Sequence, residues 1–373
     1  MKVAIINISD RFGGASRAVY RLLKGLEMNG VDARMIVKRK GTPDPSVIAV
    51  DSRKEGTQRI EEVFERIEKR YIQENRTPLS DSAFTFPYPG FDLSSCAVLK
   101  QSDVINLHNI RGFQSVETIS RLLNMGKPVV WTLHDQNAFT GGCHYSAGCD
   151  GYRNECLDCP QLRDNRYQIP FHVLKNKRKH WVTNLTVVAP SRWMARCAEE
   201  SRVLGLFRVE AILNSVETEI FRPASKAKSK GVLGIDPEAS VILYNALHHI
   251  KKRKGFAEFV EAIKHCLENP GFKESVEKGK IQFVTVGLTH RKPPQIPVPL
   301  FSYGKVDSDE LLATIFAAAD VYVLSSLEDN LPNTMLEAMA CGTPVIAFDV
   351  GGMPEIIRSG INGYIVPFVD SDR

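Results

Sequence analysis

Short apolar runs rich in β-branched residues recur along the chain, each followed by a stretch whose apolar positions fall at helical spacing. Val3–Ile8, Ala33–Val37, Val104–His108, Val129–His134 and Leu185–Ala189 have the length and composition of buried strands. Among the intervening stretches, Ala15–Met28 places Ala18, Leu22 and Leu26 on one face and predicts an amphipathic helix. The alternation then restarts. Val241–Asn245, Ile281–Gly287, Val321–Leu324 and Val345–Phe348 read as strands, interleaved with helices near Gly255–Leu267, Ser308–Ala318 and Pro332–Cys341. Strand-then-helix alternation predicts α/β architecture, with parallel sheets covered on both faces. Two doubly wound domains in series follow, with a ligand expected in the cleft between their strand ends. Asn214–Pro223, followed by Ser225, Lys226, Lys228, Ser229 and Lys230, is small, basic and poor in apolar residues, which reads as a solvated linker. The expected organisation is residues 1–214, a linker over 215–230, and residues 231–373.

Composition narrows this picture without redirecting it. The chain has 373 residues, 43% hydrophobic and 24% charged, which excludes wholesale disorder and supplies two sizeable cores. No apolar run approaches the roughly 18 residues of a membrane-spanning helix. The opening MKVAIINISD meets Asp10 too early for an export signal and reads as a first strand. A cytoplasmic setting is therefore expected, with the eight cysteines reduced or metal-bound rather than forming a disulfide framework. A net charge of +5 suits anionic substrates or an anionic membrane surface.

Four segments can carry chemistry. Phe12-Gly13-Gly14-Ala15 joins the first strand to a helix; Gly13 and Gly14 let backbone amides approach an anion, or form a bare tight turn. Its spacing is not that of a dinucleotide fingerprint. Trp131-Thr132-Leu133-His134-Asp135 ends a strand in polar residues, where open α/β sheets place reactive groups; a His134 satisfied by backbone is the plainer alternative. Cys143, Cys149, Cys156 and Cys159 combine a Cys-x5-Cys pair with a Cys-x2-Cys pair in a glycine-rich loop with little to form a core. Four thiolates there would close a structural zinc site that orders the loop; reduced thiols or a disulfide pair are the alternatives. Arg153 is the only Lys or Arg inside that segment, which sets aside a nucleic-acid-binding zinc module. In the fourth segment, Ser325–Pro344, a strand ends in a polar loop, Pro332 opens a helix and Gly342 stops it. The amides around Asn330, Leu331, Asn333 and Thr334 are expected to form an anion site. Asp329 lies at its mouth and Glu337 within the helix, both suited to sugar hydroxyls, with Lys254 supplying a cation.

This last segment resembles the signature of family 4 glycosyltransferases of the GT-B type, which carry Glu-x7-Glu, EAMACGTPVIA, a GG-x-PE turn and NG-x-x-V-P. The matching stretches are Asp329 to Glu337, Glu337 to Ala347, Gly351-Gly352-Met353-Pro354-Glu355 and Asn362-Gly363. Gly13-Gly14-Ala15, His134, Leu213-Asn214-Ser215-Val216 and Phe221-Arg222-Pro223 match as well. LHDQNAFTGGCHYSAGC and LEDNLPNTMLEA further resemble the branch that builds bacterial exopolysaccharide, colanic-acid and O-antigen units. The resemblance implies two Rossmann-like domains facing a cleft and a retaining hexosyltransferase without a catalytic metal. It implies that Gly13 and Gly14 face the donor diphosphate, and that Arg253 and Lys254 neutralise that group as it leaves. Glu337 would hold ribose hydroxyls, Asp329 the donor sugar, and His134 the sugar or acceptor side. Here Asp329 stands in place of the motif's first Glu and is a methylene shorter. His249 stands where the family has an Arg, a role Arg253 can take, and relatives continue for several helices beyond Arg373.

The donor expected from the resemblance is a GDP- or UDP-linked sugar, and the acceptor a glycan or an undecaprenyl-diphosphate-linked chain. Ile60, Val63, Phe64, Ile67 and Tyr71 fall at helical spacing among Arg53, Lys54, Arg66, Lys69 and Arg70; Lys175, Lys177, Arg178 and Lys179 form a second basic cluster. Each suits an anionic leaflet presenting the acceptor, or a solvated helix face packed on its apolar side. A non-catalytic nucleotide-sugar-binding subunit and a GT-B nucleotide-sugar epimerase are the alternative functions.

Overall fold

The computed structural model describes residues 1–50, 57–245, 251–287 and 296–367; Arg53, Lys54 and His249 lie outside them. The chain forms two compact units, Met1–Ser215 and Val216–Arg373. The first is built on strands β1 (Lys2–Ser9), β2 (Asp32–Arg39), β3 (Val47–Ala49), β4 (Val104–Leu107), β5 (Val129–Thr132), β6 (Leu185–Ala189) and β7 (Arg208–Ala211). They pair in the order β3-β2-β1-β4-β5-β6-β7, every pairing parallel. Its helices are α1 (Gly14–Met28), α2 (Thr57–Tyr71), α3 (Ala97–Gln101), α4 (Val116–Leu123), α5 (Ile169–His180) and α6 (Arg192–Glu199).

The second unit carries β8 (Ser240–Asn245), β9 (Ile281–Val286), β10 (Leu300–Ser302), β11 (Val321–Leu324), β12 (Val345–Phe348) and β13 (Gly363–Val366). The order is β10-β9-β8-β11-β12-β13, again all parallel. Helices α7 (Lys226–Val232), α8 (Phe256–Leu267), α9 (Pro270–Glu277), α10 (Asp309–Ala318) and α11 (Asn333–Ala340) accompany it. Both units are therefore Rossmann-like. In each, the strand order reverses once, between β1 and β4 and between β8 and β11, and the loops leaving those strands are where such sheets bind ligands.

The central strands are buried on both faces, which is why their sequences read as near-continuous apolar runs; Ala4, Ile5 and Ile6 of β1 are fully buried. Edge strands escape that signal. β3 and β10 have only three residues each, β7 (RVEA) is half exposed, and none of the three was expected. β13 depends on Gly363, where a Cβ would lie 2.0 Å from the Val345 carbonyl oxygen.

One expectation is corrected. The solvated linker over 215–230 is largely part of the second unit, and Lys226–Val232 is helical. Lys226 Nζ sits 2.8 Å from Asp320 Oδ1 and Lys230 Nζ 2.9 Å from Asp320 Oδ2, while Lys230 also donates to the Ala239 carbonyl and is 4% exposed. Lys226 and Lys230 are paired because their ammonium groups converge on the carboxylate that precedes β11, while Lys228 is exposed.

Candidate functional site

The loops leaving β8 and β11 are locked together by backbone. Gly255 has φ +66°, and a Cβ there would fall 1.6 Å from the Ser325 carbonyl oxygen, so only glycine permits the approach. Leu327 N–H donates to the Arg253 carbonyl (2.8 Å), and the Arg253 guanidinium donates to the Glu328 carbonyl. From the other side, Gly351, with φ +60°, would place a Cβ 1.7 Å from the Asp329 carbonyl oxygen, and Gly352 N–H donates to Asn330 O (2.7 Å). The GG-x-PE turn is thus a clamp on the Asp329-Asn330 backbone.

This scaffold brings Arg253, Lys254 and Asp329 into one cluster. Asp329 Oδ2 lies 2.6 Å from Lys254 Nζ and 3.3 Å from Arg253 Nη1, and Oδ1 accepts from Asn330 N–H at 3.0 Å. Burial opposes ionisation of Asp329, but the Lys254 and Arg253 charges outweigh it and hold the carboxyl well below the usual carboxylate range. Burial moves Lys254 down from its ordinary value, against the pull of Asp329. In this state the carboxylate expected to meet the donor sugar is engaged with the two cations instead. Asn330 and Leu331 are buried, Pro332 caps α11 without a side-chain hydrogen bond, and Asn333 and Thr334 open its first turn. Tyr322 O–H donates to Thr334 Oγ1 at 3.1 Å. Glu337, one turn further on, is 1% exposed.

In the first unit, Gly13 (φ +90°) precedes α1 and Gly14 begins it, and both are exposed. Expected strands Val104–His108 and Val129–His134 end earlier, at Leu107 and Thr132, which leaves His108 and His134 on the loops beyond. Their rings stack 5.3 Å apart, with His108 Nδ1 3.1 Å from His134 Nε2. Asn106 donates its Nδ2 to the Val130 carbonyl (3.0 Å), so its Oδ1 faces His108 Nε2 at 2.8 Å. An amide oxygen only accepts, hence His108 Nε2 carries the hydrogen and Nδ1 accepts from His134 Nε2. Burial pushes both rings toward the neutral form, His108 well below its ordinary value and His134 down to about 4. A neutral His134 is suited to hydrogen bonding rather than to acid catalysis near neutrality.

Beside it, Asp135 Oδ2 accepts from His144 Nδ1 (2.7 Å), whose Nε2 meets the Thr85 hydroxyl at 2.9 Å. A cavity of about 20 Å³ is lined by His108, Arg111, His134, Asp135 and His144. Sequence reasoning singled out His134 and missed His108 and His144. His108 gave the same signal as His134, a polar residue ending an apolar run; His144 gave none, since only folding brings it back to Asp135.

The zinc expectation at Cys143, Cys149, Cys156 and Cys159 is not supported. All four line one cavity of about 20 Å³, yet among the described residues no group of three or more His, Cys, Asp or Glu side chains is arranged to hold a metal ion. Without a metal, burial pushes the Cys143 thiol up strongly and Cys156 up to about 11, so both are protonated thiols in this state. Other contacts order the loop. Gln161 Nε2 donates to the Tyr145 (2.9 Å) and Ser146 (3.1 Å) carbonyls, Ser146 N–H donates to Gln136 Oε1 (2.6 Å), and Ile72, Phe84 and Leu162 pack against Cys143 and Cys159.

Residues 239–373 match the family model described as glycosyl transferases group 1. A D-inositol 3-phosphate glycosyltransferase of Streptomyces bingchenggensis is 31% identical over 169 residues, covering 43% of this chain and 36% of its own length. The chain thus spans little more than a third of that curated relative. Among solved structures, Anabaena HepE in complex with UDP-glucose superposes with a TM-score of 0.61 at 14% identity, over 98% of this chain and 85% of that one. WaaG, a glycosyltransferase involved in lipopolysaccharide biosynthesis, gives 0.58 at 14% identity, over 98% and 86%. At such identities the likeness shows the fold. The two parallel sheets are thus the GT-B architecture, and residues 239–373 are the part of the chain that matches the group 1 glycosyl transferase model.

Proposed function

We propose that the chain is a retaining glycosyltransferase that moves a sugar from a GDP- or UDP-linked donor to a glycan or lipid-linked acceptor in bacterial surface polysaccharide assembly, at the cytoplasmic face of the membrane. The observation that carries this reading is the partly buried Arg253–Lys254–Asp329 cluster beside α11, inside the matched segment. Two cations held against one carboxylate can re-pair with a diphosphate. Charge grows on that group as the glycosidic bond breaks, so they stabilise the transition state more than the ground state. Glu337 would hold the ribose and the first turn of α11 would present amides to phosphate. In the first unit, Gly13 and Gly14 would meet the diphosphate, and His134 would face the sugar or acceptor side. The relatives named above support a nucleotide-sugar donor; the polysaccharide branch rests on the loop motif around Gly141–Cys149.

Thermal unfolding with UDP, GDP, ADP and dTDP tests the donor site, since ligand at about 100 times its dissociation constant adds about 2.7 kcal/mol. One nucleotide should raise the unfolding temperature, and Lys254→Ala should abolish that rise. No rise with any of the four would overturn the reading. Product anomeric configuration, read by NMR, tests retention.

A further inference from the structure

The two cations that would meet a donor's diphosphate already hold an anion belonging to the chain. Asp329 Oδ2 lies 2.6 Å from Lys254 Nζ and 3.3 Å from Arg253 Nη1. Carboxylate and phosphate oxygens are the same kind of charged acceptor for an ammonium or a guanidinium group. Asp329 therefore occupies contacts that a diphosphate oxygen would make. Both cations are more open to solvent than the carboxylate, so an anion from solvent can reach them while Asp329 is still in place. It then meets a negative charge at close range, and either displaces Asp329 or binds against its repulsion. Both outcomes weaken the hold on the diphosphate.

The backbone of Asp329 cannot move away with its side chain. Gly351 would place a Cβ 1.7 Å from the Asp329 carbonyl oxygen, and Gly352 N–H holds the next carbonyl, that of Asn330, at 2.7 Å. The carboxylate can thus leave the cations only by rotation about its own Cα–Cβ bond, a step between staggered rotamers that needs no loop movement. On so short a side chain the charge stays close by and can return. The diphosphate left after sugar transfer carries more negative charge than the intact donor and grips two cations harder. A carboxylate waiting on a fixed backbone offsets that grip, because its own contacts re-form as the product departs.

We infer that Asp329 is an internal competitor of the diphosphate, which loosens its hold on Lys254 and Arg253 and speeds release of the spent nucleoside diphosphate. This rests on the transferase reading and deepens it, because it gives Asp329 a part beyond the sugar contact that its motif implies.

The experiment is titration calorimetry of the full chain with inorganic diphosphate, UDP and GDP, in the cold and well below the unfolding transition. Asp329→Asn should bind inorganic diphosphate at least about tenfold more tightly than wild type. The nucleotide that binds should also dissociate at least about tenfold more slowly in stopped flow. The same substitution lowers stability, so affinity and stability move in opposite directions, which an aspartate with a merely structural role would not produce. Asp329→Ser removes the carboxylate with a smaller side chain and repeats the test should the amide variant fail to fold. Asp320→Asn is the control. It removes an acidic charge from the same unit at the other end of β11, where Asp320 pairs with Lys226 and Lys230, and should leave diphosphate affinity unchanged. Diphosphate affinity in the Asp329 variants equal to or weaker than wild type would overturn the inference, as would an equal gain in Asp320→Asn. Either result, with UDP or GDP still bound by wild type, leaves the transferase reading standing. Tighter inorganic diphosphate binding by the Asp329 variants, with neither nucleotide bound by any form, would uphold the competitor and count against the transferase reading alone.

Discussion

Replacing Asp329 by Asn isolates the charge that holds the Arg253–Lys254 cluster together. The substitution keeps the size of the side chain and an oxygen for the Asn330 amide, but it removes the negative charge 2.6 Å from Lys254 and 3.3 Å from Arg253. Breaking one side of a buried ion pair costs about 3–5 kcal/mol, because the partner is left buried and uncompensated. Lys254 and Arg253 side chains are 28% and 16% exposed, so water relieves part of this and the lower end applies, about 3 kcal/mol. In a unit of this size each kcal/mol moves the unfolding temperature by about 2–4 °C, giving a fall of roughly 6–12 °C at neutral pH. The pH dependence has a definite sign. A carboxylate whose folded pKa is depressed contributes stability that is full above its unfolded value, about 3.9, and is lost as pH falls toward the folded one. Wild type and variant should therefore differ fully at pH 7 and converge below about pH 4. Differential scanning calorimetry of the transition of the second unit reads both effects. A difference under about 2 °C at pH 7 would refute the reasoning, as would one that persists unchanged at low pH.

Two further outcomes test the scaffold and the histidine pair. Gly255→Ala forces a Cβ to within 1.6 Å of the Ser325 carbonyl at a left-handed φ, so it should destabilise the second unit by more than about 3 kcal/mol and weaken nucleotide binding with it; a chemical-denaturation midpoint equal to wild type would contradict the close approach. Burial holds His134 near 4, so its ring should stay neutral, with hydrogen on Nε2, from pH 8 down to about 5 in ¹⁵N NMR; a midpoint near the unperturbed 6.5 would refute the hydrogen-bond chain through His108 and Asn106.

What the sequence made legible divides along a physical line. Both halves of the fold were readable because strands buried on two faces must be apolar throughout, and the helices between them must be amphipathic. The runs at Val3–Ile8 and Val321–Leu324 therefore announced themselves. The edge strands at Val47–Ala49 and Leu300–Ser302 did not, since a short strand with one neighbour needs no such pattern. Lys230 illustrates a different blindness. A basic, apolar-poor segment looks solvated unless its acceptor is known, and Asp320 lies 90 residues away. The cysteine loop is a related case. Counting thiols ignored the hydrogen bonds from Gln161 and the packing of Ile72, Phe84 and Leu162, all supplied from outside the loop.

The second unit's site shows why motif and geometry are partly different information. Glycines 351 and 352 and the acid at position 329 stand out in the sequence as a pattern, but their spacing does not reveal that one clamps the other. Once Gly351 and Gly255 are seen to admit carbonyl oxygens where any Cβ would collide, the pattern acquires a cause. Gly255 brings the loop after β8, and Gly351 the loop after β12, into backbone contact with the loop after β11, and those contacts seat two cations on one carboxylate. A side chain at either position would separate the loops and leave Lys254 buried without Asp329. The glycine turns and the charged cluster are thus one device, whose parts stand or fall together.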